Sequence, residues 1–221
     1  MQVKGVIFDM DGTLLNSLHF WEFWYKRLGE IYLNEKNFTI DPELDRKART
    51  SIFTSVMTWV NDRYHLTDDF NELTKTSVDI LQEHYKTNCS VKKGAIELLE
   101  SLQSKGIKIA LATGTAKNEL NIALDTYGFR KYFPIILSCE QIGAGKEKPD
   151  IFNACADLMG LEPKDICIIE DSATAVITAN NAGYKTIGVY DKDAVAQDVL
   201  EKNAQVFIDK NGSLLDVIDL F

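Results

Sequence analysis

The stretch VIFDMDGTLLNS, Val6 to Ser17, decides how this chain is read. Val6, Ile7 and Phe8 run straight into Asp9, and Asp11, Gly12 and Thr13 follow at once. The apolar run predicts a strand buried on both faces. Such a strand has no packing use for a carboxylate at its end, because a charge withdrawn from water is costly unless something compensates it. If the extended geometry persists, Asp9 and Asp11 project to the same side, within reach of one reacting group. Gly12 permits a tight turn whose amides can cradle an anion. Asp-Gly is also a common turn dipeptide, so the weight rests on Asp9.

Four further β-branched runs lie downstream: IKIALAT (107–113), PIILS (134–138), DICIIED (165–171) and KTIGVYD (185–191), separated by amphipathic segments. The alternation predicts βαβ units and an α/β fold, a Rossmann-like doubly wound parallel sheet with helices on both faces. Residues 17–91 differ, with almost no strand signal and many aromatic residues and leucines at helical spacing. Phe20, Trp21, Trp24, Tyr25, Leu28, Ile31 and Tyr32 make one apolar stripe on a helix, read as the core of a small helical bundle. The expected organisation is a core of residues 1–16 plus 92–221 with an all-helical insertion at 17–91. Residues 198–221 predict a closing strand near Val206 and a last amphipathic helix.

A chain of 221 residues, 45% of them hydrophobic, can bury a substantial core. No stretch approaches the roughly 20 apolar residues of a membrane span, and the N-terminus lacks a basic, then apolar leader, so a cytoplasmic protein is expected. Cys89, Cys139, Cys155 and Cys167 show no CxxC pairing and read as reduced packing residues. A net charge of −9 argues against nucleic acid or an anionic membrane as partner. A monomer and a small homo-oligomer are equally compatible with the sequence.

Doubly wound sheets bind ligands beyond the carboxyl ends of their strands. There the sequence places Asp9 and Asp11, then Thr113, then the pair Lys146 and Lys148, then Glu170 and Asp171. Carboxylates gathered in one crevice repel one another, and a hard cation with oxygen ligands relieves this; Mg²⁺, which keeps several waters and also binds phosphate, suits the set. For Asp171 the competing reading is an N-cap of the helix predicted from DSATAVITANNAG.

In order and spacing, DMDGT, LATGT, GKEKPD and IIEDSATAVITANNAG resemble the four motifs of the haloacid dehalogenase superfamily. The resemblance covers nearly the whole chain and is to the branch with a helical, C1-type cap after the first motif, which includes phosphoglycolate phosphatase and β-phosphoglucomutase. It implies that Asp9 attacks phosphorus to give an aspartyl phosphate, and that Asp11 protonates the leaving alkoxide and then activates water. It implies Mg²⁺ held by the Asp9 carboxylate, the Asp11 carbonyl and Asp171, with Glu170 close by. Phosphate oxygens would meet Met10 and Asp11 in the first turn, the Thr113 hydroxyl, neighbouring amides and Lys146, with Gly114 allowing close approach. Relatives often carry Lys-Pro-x-Pro-Asp where this chain has Lys146-Glu147-Lys148-Pro149-Asp150; counting back from Asp150 favours Lys146, with Lys148 the alternative. Asn16 stands where relatives often have Asp.

His19, His65 and His84 show no metal-ligand spacing and read as exposed or partly packed, with His19 placed to reach the crevice mouth. Arg46, Lys47 and Arg49 read as a solvated helix face or, alternatively, a contact for the rest of a phosphorylated substrate. The leading expectation is a Mg²⁺-dependent phosphatase of a small phosphorylated metabolite, its helical cap closing over the site to exclude water. A phosphosugar mutase of the β-phosphoglucomutase type is the alternative, and a noncatalytic module binding a phosphorylated ligand or a protein is the third reading. Thr13 leans toward hydrolysis.

Overall fold

The structure is a computed structural model that describes residues 3–49 and 51–221. These form two compact units, one holding the residues up to Asn16 together with Ser90–Phe221, the other Ser17–Cys89.

The first unit is built on six parallel strands: β1 (Gly5–Phe8), β4 (Lys108–Thr113), β5 (Ile135–Ser138), β6 (Ile166–Glu170), β7 (Lys185–Val189) and β8 (Val206–Ile208). Between β1 and β4 in the chain lie two short strands, β2 (Leu15–Asn16) and β3 (Ser90–Val91), which pair antiparallel with each other. Ser90 and Val91, which the sequence reading groups with the helical segment, are thereby tied to the strand that follows β1.

The spatial order of the large sheet is β5-β4-β1-β6-β7-β8. From β1 the chain steps outward through β4 to β5, then returns to the other side of β1 and proceeds outward again. The reversal sits at β1, and the crevice of a doubly wound sheet opens there, beyond the carboxyl ends of the strands. The central strands β1 and β6 are buried throughout, whereas the edge strands β5 and β8 are mostly half-buried. This is why GVIF and ICIIE read as unbroken apolar runs. Helix α8 (Asp150–Met159) packs Ile151, Phe152, Cys155 and Met159 against Ile7, Ala110 and Ile168.

The closing strand expected near Val206 is β8, and the last helix, Leu214–Leu220, is a 3₁₀ helix. Its two fully buried residues, Leu214 and Val217, are three apart, which matches three residues per turn, and a capping box between Ser213 and Asp216 starts it. Asp171 does not cap the helix after β6: in α9 (Ala173–Asn181) the cap is Ser172, whose hydroxyl accepts from the Ala175 amide.

The second unit contains α1 (Phe20–Leu28), α2 (Pro42–Ala48), α3 (Phe53–Tyr64) and α4 (Phe70–Thr87). Asp41, followed by Pro42, caps α2, and Asp69 caps α4 through the amides of Asn71 and Glu72. The aromatic stripe is real as far as Leu28: Phe20, Trp24, Tyr25 and Leu28 are buried. Past that point the chain widens into a π-helical turn, Gly29–Leu33, which shifts the angular register and leaves Ile31 46% exposed. Gly29 accommodates Phe38, whose Cβ would stand 2.1 Å from a Cβ at that position.

The histidines divide differently from the sequence expectation. His65 is exposed and left-handed at the end of α3, but His84 is completely buried, its Nε2 2.9 Å from the Ser17 carbonyl. A carbonyl only accepts, so Nε2 carries the hydrogen and Nδ1 is the bare nitrogen, which has no partner among the described residues. Burial, aided by His19 and opposed by the Ser17 carbonyl, pulls the His84 pKa down to about 4. His19 stacks edge-on against it at 4.6 Å and holds the Asn88 carbonyl. In the basic cluster, Arg49 pairs with Asp45 and Glu22, Lys47 lies 3.4 Å over the Trp59 ring, and Arg46 is exposed. Among the described residues no helix is long and apolar enough to cross a membrane.

Candidate active site

Asp9 follows the last residue of β1 and is only 6% exposed, its amide bonded to the Ile169 carbonyl of the neighbouring β6. Glu170 ends β6 and Asp171 follows, 1% and 6% exposed. One oxygen from each of Asp9, Glu170 and Asp171 lies within 4.8 Å of the others. Adjacent parallel strands in register (Phe8 opposite Ile169) bring Asp9 beside Glu170 and Asp171, 161 and 162 residues further along the chain.

Among the described residues, one lysine is bonded to this cluster. The Lys146 ammonium donates to Asp9 and, at 2.6 Å, to Glu170 Oε1. Lys148 is exposed, so of the two candidates Lys146 is the one that reaches the carboxylates. The Ser172 amide donates to the second Glu170 oxygen at 2.6 Å, and the fully buried Thr13 hydroxyl donates to Asp171 Oδ1 at 3.2 Å.

The charges do not balance. Burial pushes the Asp9 pKa up to about 7, with Lys146 opposing and Glu170 and Asp11 adding to the rise. Burial, then Glu170 and Asp9, hold Asp171 well above the usual carboxylate range. Burial pulls the Lys146 ammonium down, but Asp9 and Glu170 outweigh it and hold its pKa above normal. Buried carboxylates in excess of their lysine, offering only oxygen donors, fit a hard divalent cation with a few protein ligands and an open side.

Beside this cluster, Gly12 adopts φ 86° and donates its amide to the Leu15 carbonyl, closing the turn that carries Asp11. Asp11 Oδ2 accepts from the Thr115 hydroxyl at 2.7 Å. The Thr115 amide donates to Thr113 Oγ1 at 3.1 Å, and Thr113 is the buried last residue of β4. Gly114 is exposed, and a Cβ there would meet no atom within 4 Å. The Met10 side chain is completely buried and its carbonyl accepts from the Leu14 and Leu15 amides, which leaves the Met10 amide as its means of meeting an anion.

Thr115, although LATGT contains it, is not among the residues that the sequence singles out. Nor is Asp191. This residue lies just beyond β7, is 4% exposed, and is paired with Lys92 at 2.8 Å. The strand-end criterion that selected Glu170 applies equally to it. Gln197 joins the two loops, accepting from the Asp191 amide and donating to the Asp171 carbonyl.

Known proteins share this framework. A phosphorylated carbohydrates phosphatase of Thermotoga maritima is 27% identical over 217 residues, 98% of either chain. The validoxylamine A 7'-phosphate phosphatase of Streptomyces hygroscopicus subsp. limoneus is 25% identical over 210 residues, 90% of this chain and 93% of its own. A solved structure from Thermotoga maritima, provisionally named a β-phosphoglucomutase, superposes with a TM-score of 0.81 at 24% identity, covering 99% of this chain and 100% of that one; at this identity the likeness speaks for the fold. The family model of the haloacid dehalogenase-like hydrolases matches residues 3–183, from before β1 to beyond α9, and the chain belongs to that family.

Proposed function

We propose that the protein is a Mg²⁺-dependent phosphatase that hydrolyses a small phosphorylated metabolite through an aspartyl phosphate on Asp9. The observation that carries this reading is the buried cluster of Asp9, Glu170 and Asp171 around Lys146 at the carboxyl ends of β1 and β6, with a further carboxylate, Asp11, two residues past Asp9.

An Asp9 oxygen attacks phosphorus while the bond from phosphorus to the substrate oxygen breaks. The leaving alkoxide takes the proton of Asp11. A water then gives its proton to Asp11 and attacks the same phosphorus, the bond to Asp9 breaks, and both carboxyl groups return to their starting states. Lys146 holds Asp9 and offsets its charge, and the Thr113 hydroxyl, the Met10 amide and the amides around Gly114 bind phosphate oxygens. Mg²⁺, which the carboxylates of Asp9 and Asp171 and the Asp11 carbonyl would hold with Glu170 beside them, would neutralise the charge shared by phosphate and carboxylate. The unit that holds β1 and Ser90–Phe221 serves as the catalytic core and Ser17–Cys89 as its cap domain. The free thiols of Cys139, Cys155 and Cys167, all buried, suit a reducing cytoplasm.

Inorganic phosphate released from a panel of small phosphomonoesters, in Mg²⁺ or in EDTA, tests the reading. Release that needs Mg²⁺ and is lost in Asp9→Asn supports it. Interconversion of phosphosugar isomers without phosphate release replaces it with a mutase, and binding without turnover replaces it with a binding module.

A further inference from the structure

Asp11 has to be a proton donor in one step and an acceptor in the next, and both uses require a fixed oxygen to face the reacting phosphorus. Its Oδ2 is engaged by a hydroxyl from a different strand end, 104 residues away: Thr115 Oγ1, at 2.7 Å. A hydroxyl can donate to Oδ2 whether Asp11 is ionised or carries its proton on Oδ1. The contact can therefore persist through both steps, fixing the carboxyl group by Oδ2 while Oδ1 carries the mobile proton.

Thr115 acts in a second direction. Its amide occupies a lone pair of Thr113 Oγ1 at 3.1 Å, so the Thr113 hydroxyl hydrogen is turned elsewhere to donate. Gly114, between the two threonines, has open space where a side chain would be. One residue thus sets the accepting oxygen of Asp11 and the donating direction of Thr113.

We propose that Thr115 is a positioning residue that orients Asp11 as general acid and base, an inference that rests on the phosphatase reading of the site. The leaving group of the substrate separates this role from a structural one. A leaving oxygen that departs readily as an anion has little need of the Asp11 proton, whereas a more basic one depends on it. The comparison uses p-nitrophenyl phosphate and phenyl phosphate, which are close in size and differ in the basicity of the departing phenoxide. In saturating Mg²⁺, kcat/KM reports the step in which Asp9 is phosphorylated.

Thr115→Val, which removes the hydroxyl and keeps the shape, is expected to lower kcat/KM for phenyl phosphate by about tenfold to a hundredfold, the worth of a hydrogen bond to a charged group. The loss on p-nitrophenyl phosphate should be smaller by about tenfold or more, on the same scale. Thr115→Ser, which restores the hydroxyl, is expected to recover the wild-type ratio between the two esters. Equal losses on both esters, or a serine variant no better than valine, would overturn the assignment of Thr115 while leaving the phosphatase reading in place. A wild type that releases phosphate from neither ester nor from any member of the wider panel would overturn both.

Discussion

Replacing Asp9 by Asn should stabilise the metal-free protein more at pH 7.5 than at pH 5. Asp9 has an ordinary pKa of 3.8 and is pushed up to about 7 in the folded chain, first by burial. Between these values the folded state keeps a proton that the unfolded state has released. The stability that this proton linkage contributes is complete below about pH 4 and is lost as the pH rises through about 7. From pH 5 to pH 7.5 the loss integrates to about 2–3 kcal/mol at 1.36 kcal/mol per pKa unit. Asn cannot ionise, so the free-energy difference between variant and wild type should shift in the variant's favour by that amount. Urea titrations in EDTA at the two pH values measure it. Any pH-independent effect, such as the altered bond to Lys146, cancels in the change between them, as does the titration of groups distant from Asp9, while Asp171, whose upward shift Asp9 shares in causing, is relieved in the variant and acts in the same direction. A difference that stays constant to within about 0.5 kcal/mol, the usual scatter of such comparisons, would mean that Lys146 fully compensates an ionised Asp9, and the reasoning would fail.

The two lysines of the third motif should separate sharply: Lys146→Met leaves Asp9 and Glu170 buried without their ammonium and is expected to cost about 3–5 kcal/mol in urea at neutral pH, while Lys148→Met, at an exposed position, should stay within about 0.5 kcal/mol. Gly114→Ala should leave the thermal midpoint unchanged, because its Cβ meets nothing within 4 Å, yet slow phosphate release by crowding the bound phosphate; an unaffected rate would show that the phosphate does not approach there. His84, held near pKa 4 against an ordinary 6.5, has the opposite sign to Asp9. Its stabilising contribution is present above about pH 6.5 and is lost as the pH falls toward 4, by on the order of 3 kcal/mol. In an Asp9→Asn background, which removes the share of Asp9 in the opposing slope and leaves that of Asp171 common to both proteins, the change in stability between pH 6.5 and pH 4.5 should differ with and without His84→Gln by on the order of 3 kcal/mol.

The sheet was legible because its central strands are buried on both faces and contain little but apolar residues, so Val6–Phe8 and Cys167–Ile169 could hardly be read otherwise. The cluster at their ends was legible for the complementary reason that Asp9 and Glu170 interrupt those runs where packing alone gives them no use. The π-turn at Gly29–Leu33 was hidden, since Ile31 and Tyr32 continue the helical spacing and only the packing of Phe38 onto Gly29 shows where the helix is distorted. His84 was hidden because a lone histidine on a helix carries no sign of the distant Ser17 carbonyl that lets it be buried. Thr115 was hidden likewise: its partner is 104 residues away, and the register that joins β1 to β4 has no local signature.

Asp191 shows what makes one strand end reactive and another structural. Like Glu170 and Asp171 it lies at the carboxyl edge of the sheet and is almost fully buried. Its ammonium partner, Lys92, also donates to the Tyr190 carbonyl, so the pair is anchored in the backbone beside it. Asp9, Glu170 and Asp171 surround Lys146, and Asp9 and Asp171 are left with pKa values pushed upward. A buried carboxylate with its own cation has no electrostatic reason to recruit another ligand. Carboxylates in excess of their cation remain costly until they take up protons or bind positive charge, and the second course leaves Asp9 ionised at neutral pH, the form that its proposed role as nucleophile requires. The residual charge at the ends of β1 and β6 is therefore the property that suits this site to the proposed phosphoryl transfer, and adding a compensating lysine there should increase stability in EDTA while weakening the Mg²⁺ dependence proposed for phosphate release.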